Sequence, residues 1–137
     1  MAFVDFDEFE LDEWNVHFWR GVPFTGIAVE RYGNGSLRCT MPFENGLENG
    51  VARDLFQSGV LKAETCFVDG ARKGTSKEWY ESGALKTEAV FEYGICVSKT
   101  SLREDGTIIS EFKLETNDPL RSTIELLKAA AEKRTPR

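Results

Sequence analysis

The chain has 137 residues, 41% of them hydrophobic and 12% aromatic, which suits a single domain with one core. Its net charge of −6 excludes nucleic-acid binding driven by counterion release and disfavours attraction to anionic lipid. No apolar run approaches the ~18 residues of a membrane span, and the opening MAFVDFDEFELDE lacks the basic and apolar regions of a signal peptide, so the cytoplasm is the expected compartment.

In chain order, the first feature is electrostatic. Residues 1–13 hold Asp5, Asp7, Glu8, Glu10, Asp12 and Glu13 and no Lys or Arg. The other 124 residues carry 17 charges of each sign, so the whole excess sits in this opening segment. Phe3, Phe6, Phe9 and Leu11 are interleaved with the carboxylates. One reading is a solvated terminal strand. The other is a field that steers a basic protein partner, with Asp5, Asp7, Glu8 and Glu10 as contact residues.

Next comes a partial repeat, His17 to Gly26, and the sheet is expected to begin there or slightly earlier, around residues 8–12. The chain's one histidine, His17, lies among aromatics and reads as a packed strand residue.

Residues 26–117 form four copies of one pattern. GIAVERYGNGSLRCTMPFENGLEN starts at Gly26, GVARDLFQSGVLKAETCFVDGARK at Gly50 and GTSKEWYESGALKTEAVFEYGICV at Gly74, a period of 24 residues. SKTSLREDGTIISEFKLETNDP starts at Ser98 and has lost one residue. A turn glycine recurs at Gly35, Gly59, Gly83 and Gly106, after Asn34, Ser58, Ser82 and Asp105, and is read as a two-residue hairpin turn. Leu37, Leu61, Leu85 and Ile108 follow two residues later, then Phe43, Phe67, Phe91 and Leu114. A second glycine, Gly46, Gly70 and Gly94, closes the first three copies. In the third copy Leu85, Thr87, Ala89 and Phe91 alternate with Lys86, Glu88, Val90 and Glu92, the period of a half-buried strand. Each copy is therefore one β-hairpin, and hairpins this small must stack side by side.

Two columns of the repeat are candidate binding features. Tyr32, Phe56 and Tyr80 share one position, and Leu55, Trp79 and Leu102 the next. Neighbours such as Trp79 and Tyr80 cannot both enter one face of a strand, so one column is either exposed for binding or covered by twist and helix. Glu64, Glu88 and Glu111 form an acidic row beside Lys62 and Lys86. That row reads as cross-strand charge pairing or as a ridge for a cationic partner.

After the last copy, Asp118 and Pro119 mark a helix start, and Leu120, Ile124, Leu127 and Ala131 follow at helical spacing. A helix over residues 118–133 is expected to pack on the last hairpin and block its open edge. Cys39, Cys66 and Cys96 fall at unrelated repeat positions and read as strand residues. No zinc spacing, phosphate loop, dinucleotide fingerprint or nucleophile elbow occurs, so no catalytic residue, metal or cofactor is expected.

The expected fold is all-β: a single-layer antiparallel sheet of stacked hairpins with a helix at its C-terminal end, one domain of residues 1–137, with the acidic segment and half-repeat in residues 1–25. The run Gly74 to Glu88, of the form G-x-x-x-E-W-Y-x-x-G-x-L-K-x-E, resembles the MORN-variant repeat of YwqK-type bacterial antitoxin proteins. Gly21 to Gly26, Phe91 to Cys96 and Asp118 to Leu120 fit the same group, so the resemblance spans about residues 18–127. It implies an immunity role, in which the chain binds a cognate bacterial toxin and blocks it. It supplies no catalytic residues. The first copy departs from the pattern, with Val29 to Tyr32 where the third has Lys77 to Tyr80, and the fourth lacks the closing glycine. The competing readings are a non-catalytic scaffold or membrane-surface module, which would need a basic face, and an enzyme, for which no catalytic domain is apparent.

Overall fold

The computed structural model describes residues 2–134. Its elements are β1 (Ala2–Asp5), a 3-10 turn (Phe6–Glu8), β2 (Glu10–Leu11), β3 (His17–Trp19), β4 (Val22–Pro23), β5 (Gly26–Arg31), β6 (Leu37–Glu44), β7 (Leu47–Glu48), β8 (Gly50–Leu55), β9 (Leu61–Val68), β10 (Ala71–Arg72), β11 (Gly74–Trp79), β12 (Leu85–Glu92), β13 (Ile95–Leu102), β14 (Ile108–Lys113) and α1 (Pro119–Arg134). The fold is all-β with one C-terminal helix. The main sheet has the order β1-β5-β6-β8-β9-β11-β12-β13-β14, with β7 on β6 and β10 on β9. From β5 onward it is an antiparallel meander built from the repeated hairpins.

Two kinds of turn alternate along the meander. The Asn34-Gly35 site and its equivalents are not the two-residue turns expected from sequence. Gly35 donates to Tyr32 O at 2.9 Å and Tyr32 donates to Ser36 O at 2.9 Å, and only the glycine has positive φ. This is a three-residue turn ending in a glycine bulge, repeated at Gly59, Gly83 and Gly106. The polar residue before the glycine braces the loop, as where Asn34 Oδ1 accepts from the Ser36 amide at 3.0 Å. The two-residue turns lie instead at the second glycine. Asn45-Gly46, Asp69-Gly70 and Tyr93-Gly94 all have positive φ at both positions, as has Arg20-Gly21 in the half-repeat.

The register explains the residue missing from the fourth copy. Phe43 faces Glu48, so an unbroken ladder would set Thr40 opposite Val51; it faces Arg53, a slip of two. The same slip separates β10 from β11, where Phe67 faces Arg72 but Glu64 faces Lys77. In the fourth copy Phe91 faces Cys96 and Val90 faces Ser98, a slip of one. One residue fewer makes a one-residue bulge, and β13 runs unbroken. Leu37, Leu61, Leu85 and Ile108 each open a strand and face the last residue of the strand before, Arg31, Leu55, Trp79 and Leu102.

The N-terminal end differs from expectation. The half-repeat does not begin the main sheet: β2, β3 and β4 form a separate three-stranded sheet. The reason is length. In a full copy the strand before the second glycine has eight residues, and its first half pairs with the next copy. The half-repeat has only three residues of that strand, so the edge of β5 would be bare. β1 fills the place, running parallel to β5 with Val4 beside Ala28.

The core forms where these pieces meet. Val4, Phe24, Ala28 and Phe43 are buried together, with Phe6, Phe9, Trp19 and Met41 packed against them. Each such apolar side chain contributes about 1.5–3 kcal/mol when fully buried, so stability is weighted towards the N-terminal end. Further along, the same face is lined by small residues, Ala52, Thr87 and Ala89, which are buried by their neighbours. The expected alternation in β12 holds: Thr87 and Ala89 are buried while Lys86 and Glu88 are exposed.

The helix forms where expected but does not cover the last strand. Ile124 and Leu114 are buried, and Arg121 Nη2 donates to Leu114 O at 2.8 Å. Leu120, Leu126 and Leu127 remain substantially exposed, and so do all six residues of β14. Ile124 and the Arg121 bond hold the helix at the end of β14, and the strand's outer edge is left open.

Two outcomes follow. A Cβ on Gly46 would overlap Val16 Cγ1 and lie 2.8 Å from His17 O, whereas on Gly94 it would meet nothing nearer than 4.0 Å. Both sites carry the left-handed backbone cost of about 1–2 kcal/mol. Gly46→Ala should therefore lose about 1–3 kcal/mol more than Gly94→Ala in urea unfolding; equal losses would refute the docking of the small sheet on this turn. Separately, the Tyr32 hydroxyl donates to Leu55 O and the Tyr80 hydroxyl to Leu102 O, each at 2.7 Å, tying one copy to the next. Phe56→Tyr should add the missing bond to Trp79 O and raise stability by about 0.5–1.5 kcal/mol; a lower melting temperature would contradict this repeat symmetry.

Candidate protein-binding face

The acidic segment is an ordered part of the fold. β1 holds Asp5 beside Val29 in the parallel ladder. The chain then turns through Phe6–Glu8, where the Glu8 carboxylate accepts from the Asp5 amide at 3.3 Å. Phe6 and Phe9 point inward: the Phe6 ring lies 6.4 Å from that of Phe43, and Phe9 lies 5.0 Å from Phe24. Because these rings are fixed in the core, the residues between them face solvent. Asp5, Asp7, Glu8 and Glu10 are all exposed.

Beside them lies an open groove of about 570 Å³ lined by Asp5, Phe6, Asp7, Val29, Glu30 and Arg31. The lining holds three carboxylates and one guanidinium. Arg31 is turned towards its own hairpin, donating to Gly35 O at 3.1 Å, while Glu30 also meets Arg38 at 3.4 Å. The groove is a negatively charged concavity with two apolar walls, suited to the aliphatic stem and cationic head of a Lys or Arg.

A second exposed group went unread in the sequence. Asp12 Oδ1 accepts from the Trp14 and Val16 amides, each at 2.9 Å, and Asn15 takes positive φ. This turn presents Trp14 at 75% exposure, with Leu11 and Val22 exposed on the same small sheet. The signal was the Asp-x-Trp-Asn spacing of an Asx turn, masked by the apolar run that follows.

The other candidates from sequence have structural partners. Tyr32, Phe56 and Tyr80 are half-buried at the base of the three-residue turns, under Arg38, Lys62 and Lys86 at 5.6 Å each. Trp79 is also half-buried, opposite Leu85. In the acidic row, Glu64 pairs with Arg53 at 2.8 Å and Glu88 with Lys77 at 4.0 Å. The pairs run across strands and do not involve Lys62 and Lys86, because those lie at the bulges and turn over the rings. Glu111, on the last strand, faces Thr100. Of the two readings of this row, cross-strand pairing describes Glu64 and Glu88.

His17 is packed as expected, its ring 4.6 Å from Phe43 and 5.5 Å from Phe9. A smaller cleft of about 260 Å³ on the small-residue face is lined by groups including Asp54, Arg72, Glu78, Thr87 and Lys99. There Thr87 donates to Glu78 at 2.9 Å. Among the described residues no cluster of His, Cys, Asp and Glu could hold a metal. Burial, with the Asp54 carboxylate beside it, pushes the Cys39 thiol up to about 11 from 9.0. Cys39 is thus a protonated, weak nucleophile at neutral pH. At pH 8 it should react with iodoacetamide more than tenfold slower in the folded protein than in urea; equal rates would show that folding does not raise its pKa.

Comparison with protein-family models and with curated proteins gives no match. Among solved structures the chain is similar to part of a protein in the GtfA/B complex bound to UDP and GlcNAc, at 15% identity and a TM-score of 0.33. The match covers 77% of this chain and 27% of that one.

Proposed function

We propose that this chain is an immunity protein: an antitoxin that neutralises a cognate, basic bacterial toxin by direct contact, acting in the cytoplasm. The observation that carries the reading is the ordered acidic face. Asp5, Asp7 and Glu30 line one groove, and every carboxylate of residues 1–13 projects from folded backbone. A flexible acidic tail would only raise solubility. Fixed carboxylates present a pattern, and a fixed charge pattern selects and orients a partner. The exposed Trp14 supplies the type of apolar anchor that dominates binding energy at protein interfaces. The sequence resemblance to antitoxin repeat proteins supports the same reading.

In this reading Asp5, Asp7, Glu8 and Glu10 speed encounter, Trp14 holds the complex, and the repeated sheet is the rigid frame beneath them. Tyr32, Phe56, Tyr80 and Trp79 serve the frame.

Capture from the native host should return a basic toxin-like protein, and co-expression should rescue cells from the product of the neighbouring reading frame. Failure of both ends the proposal. With the captured protein, Trp14→Ala should weaken binding at least tenfold through faster dissociation. Asp7→Asn with Glu10→Gln should slow association and flatten its salt dependence. Unchanged kinetics in both variants would move the contact elsewhere.

A further inference from the structure

We infer that the outer edge of β14 is a self-pairing surface, through which two copies of this chain join their sheets about a two-fold axis. The meander gives each strand two neighbours, but β14 has only β13. All its residues are exposed, with Ile108, Ile109 and Phe112 each about half exposed. An uncovered apolar edge of this kind pairs with another strand unless something blocks it. Among the described residues α1 does not.

The ladder shows which groups face outward. Leu114 donates to Val97 O at 2.8 Å, in register with Ser98↔Lys113 and Thr100↔Glu111. In an antiparallel pair, hydrogen-bonded and non-hydrogen-bonded positions alternate. Phe112 and Ser110 therefore bond inward to β13, and the N–H and C=O of Glu111 and Lys113 point out.

The side chains select the register. A two-fold axis normal to the sheet through Phe112 sets Phe112 against Phe112 of the partner subunit on one face. On the other face it sets Glu111 against Lys113 of the partner subunit, twice. Both Glu–Lys pairs fall on the outward-bonding positions, so each gains two backbone hydrogen bonds with its charge contact. Centring on Glu111 instead would oppose two carboxylates. The edge is thus self-complementary, as a two-fold contact requires. Glu64 and Glu88 each meet a cation on the next strand, and this join extends that alternation to Glu111. A contact made by one short edge is of the small, reversible kind, below about 1,200 Å².

Sedimentation velocity over about 10–500 μM is the test, with circular dichroism confirming that each variant folds. The native chain should show a concentration-dependent monomer–dimer equilibrium. Glu111→Lys or Lys113→Glu alone, each creating like-charge pairs, should weaken it at least fivefold, and the double exchange should restore it to within twofold. A native chain that stays monomeric throughout overturns the inference, whether or not the edge takes a strand from another protein. So does a dimer indifferent to the single reversals, or one that the double exchange fails to restore.

Discussion

Everything in this structure rests on the alternation of two turns. The three-residue turn with its glycine bulge and the two-residue turn with two left-handed residues reverse the chain at opposite ends of each hairpin. Together they fix the register, and in a sheet a slip of one residue would send every side chain to the other face. The register in turn sets Glu64 beside Arg53, Tyr80 beneath Lys86, and Ala89 on the shielded face. The side chains do not choose their neighbours independently; the turns choose for them.

Stability is distributed unevenly along the sheet. At the N-terminal end a cluster of aromatic rings surrounds Phe43, the parallel strand β1 takes the place beside β5, and a separate small sheet forms next in the chain. In the middle, Tyr hydroxyls join one copy to the next, ion pairs tie the two strands within a copy, and the buried side chains are small. At the C-terminal end, among the described residues of the helix, Ile124 is the one that is deeply buried. The acidic face therefore stands beside the most deeply buried cluster and an unsatisfied strand edge on a fully exposed strand.

Much of this was legible in the sequence. The period, the columns of Leu and Phe, the alternation in β12 and the helix start at Asp118 all register local physics, and they appear in the structure. A terminal strand was one of the two readings of the acidic segment, but its place parallel to β5 was not legible, because Phe3, Phe6 and Phe9 are spaced by three and carry neither strand nor helix period. The turn at Gly35 was misread because Asn-Gly favours a two-residue turn only when the flanking strands meet in that register; here the bulge beyond Gly35 decides otherwise. Whether the Tyr32, Phe56 and Tyr80 column was exposed or covered stayed open in the sequence, because the partner of its two tyrosines, a backbone carbonyl of the following copy, leaves no trace there. For the candidate site, Asp5 and Asp7 were identifiable from charge segregation. Glu30 joins them only through the parallel pairing of β1, and Trp14 emerges only through the Asp12 turn.

The central claim is that the turns set the register of each strand pair and with it the neighbours of every side chain. Nuclear Overhauser contacts between α-protons test it most directly, since they are strongest at non-hydrogen-bonded antiparallel pairs. The account predicts strong contacts for Ser98 with Lys113 and Thr100 with Glu111. Contacts displaced by one residue, such as Thr100 with Ser110 or Phe112, would contradict it.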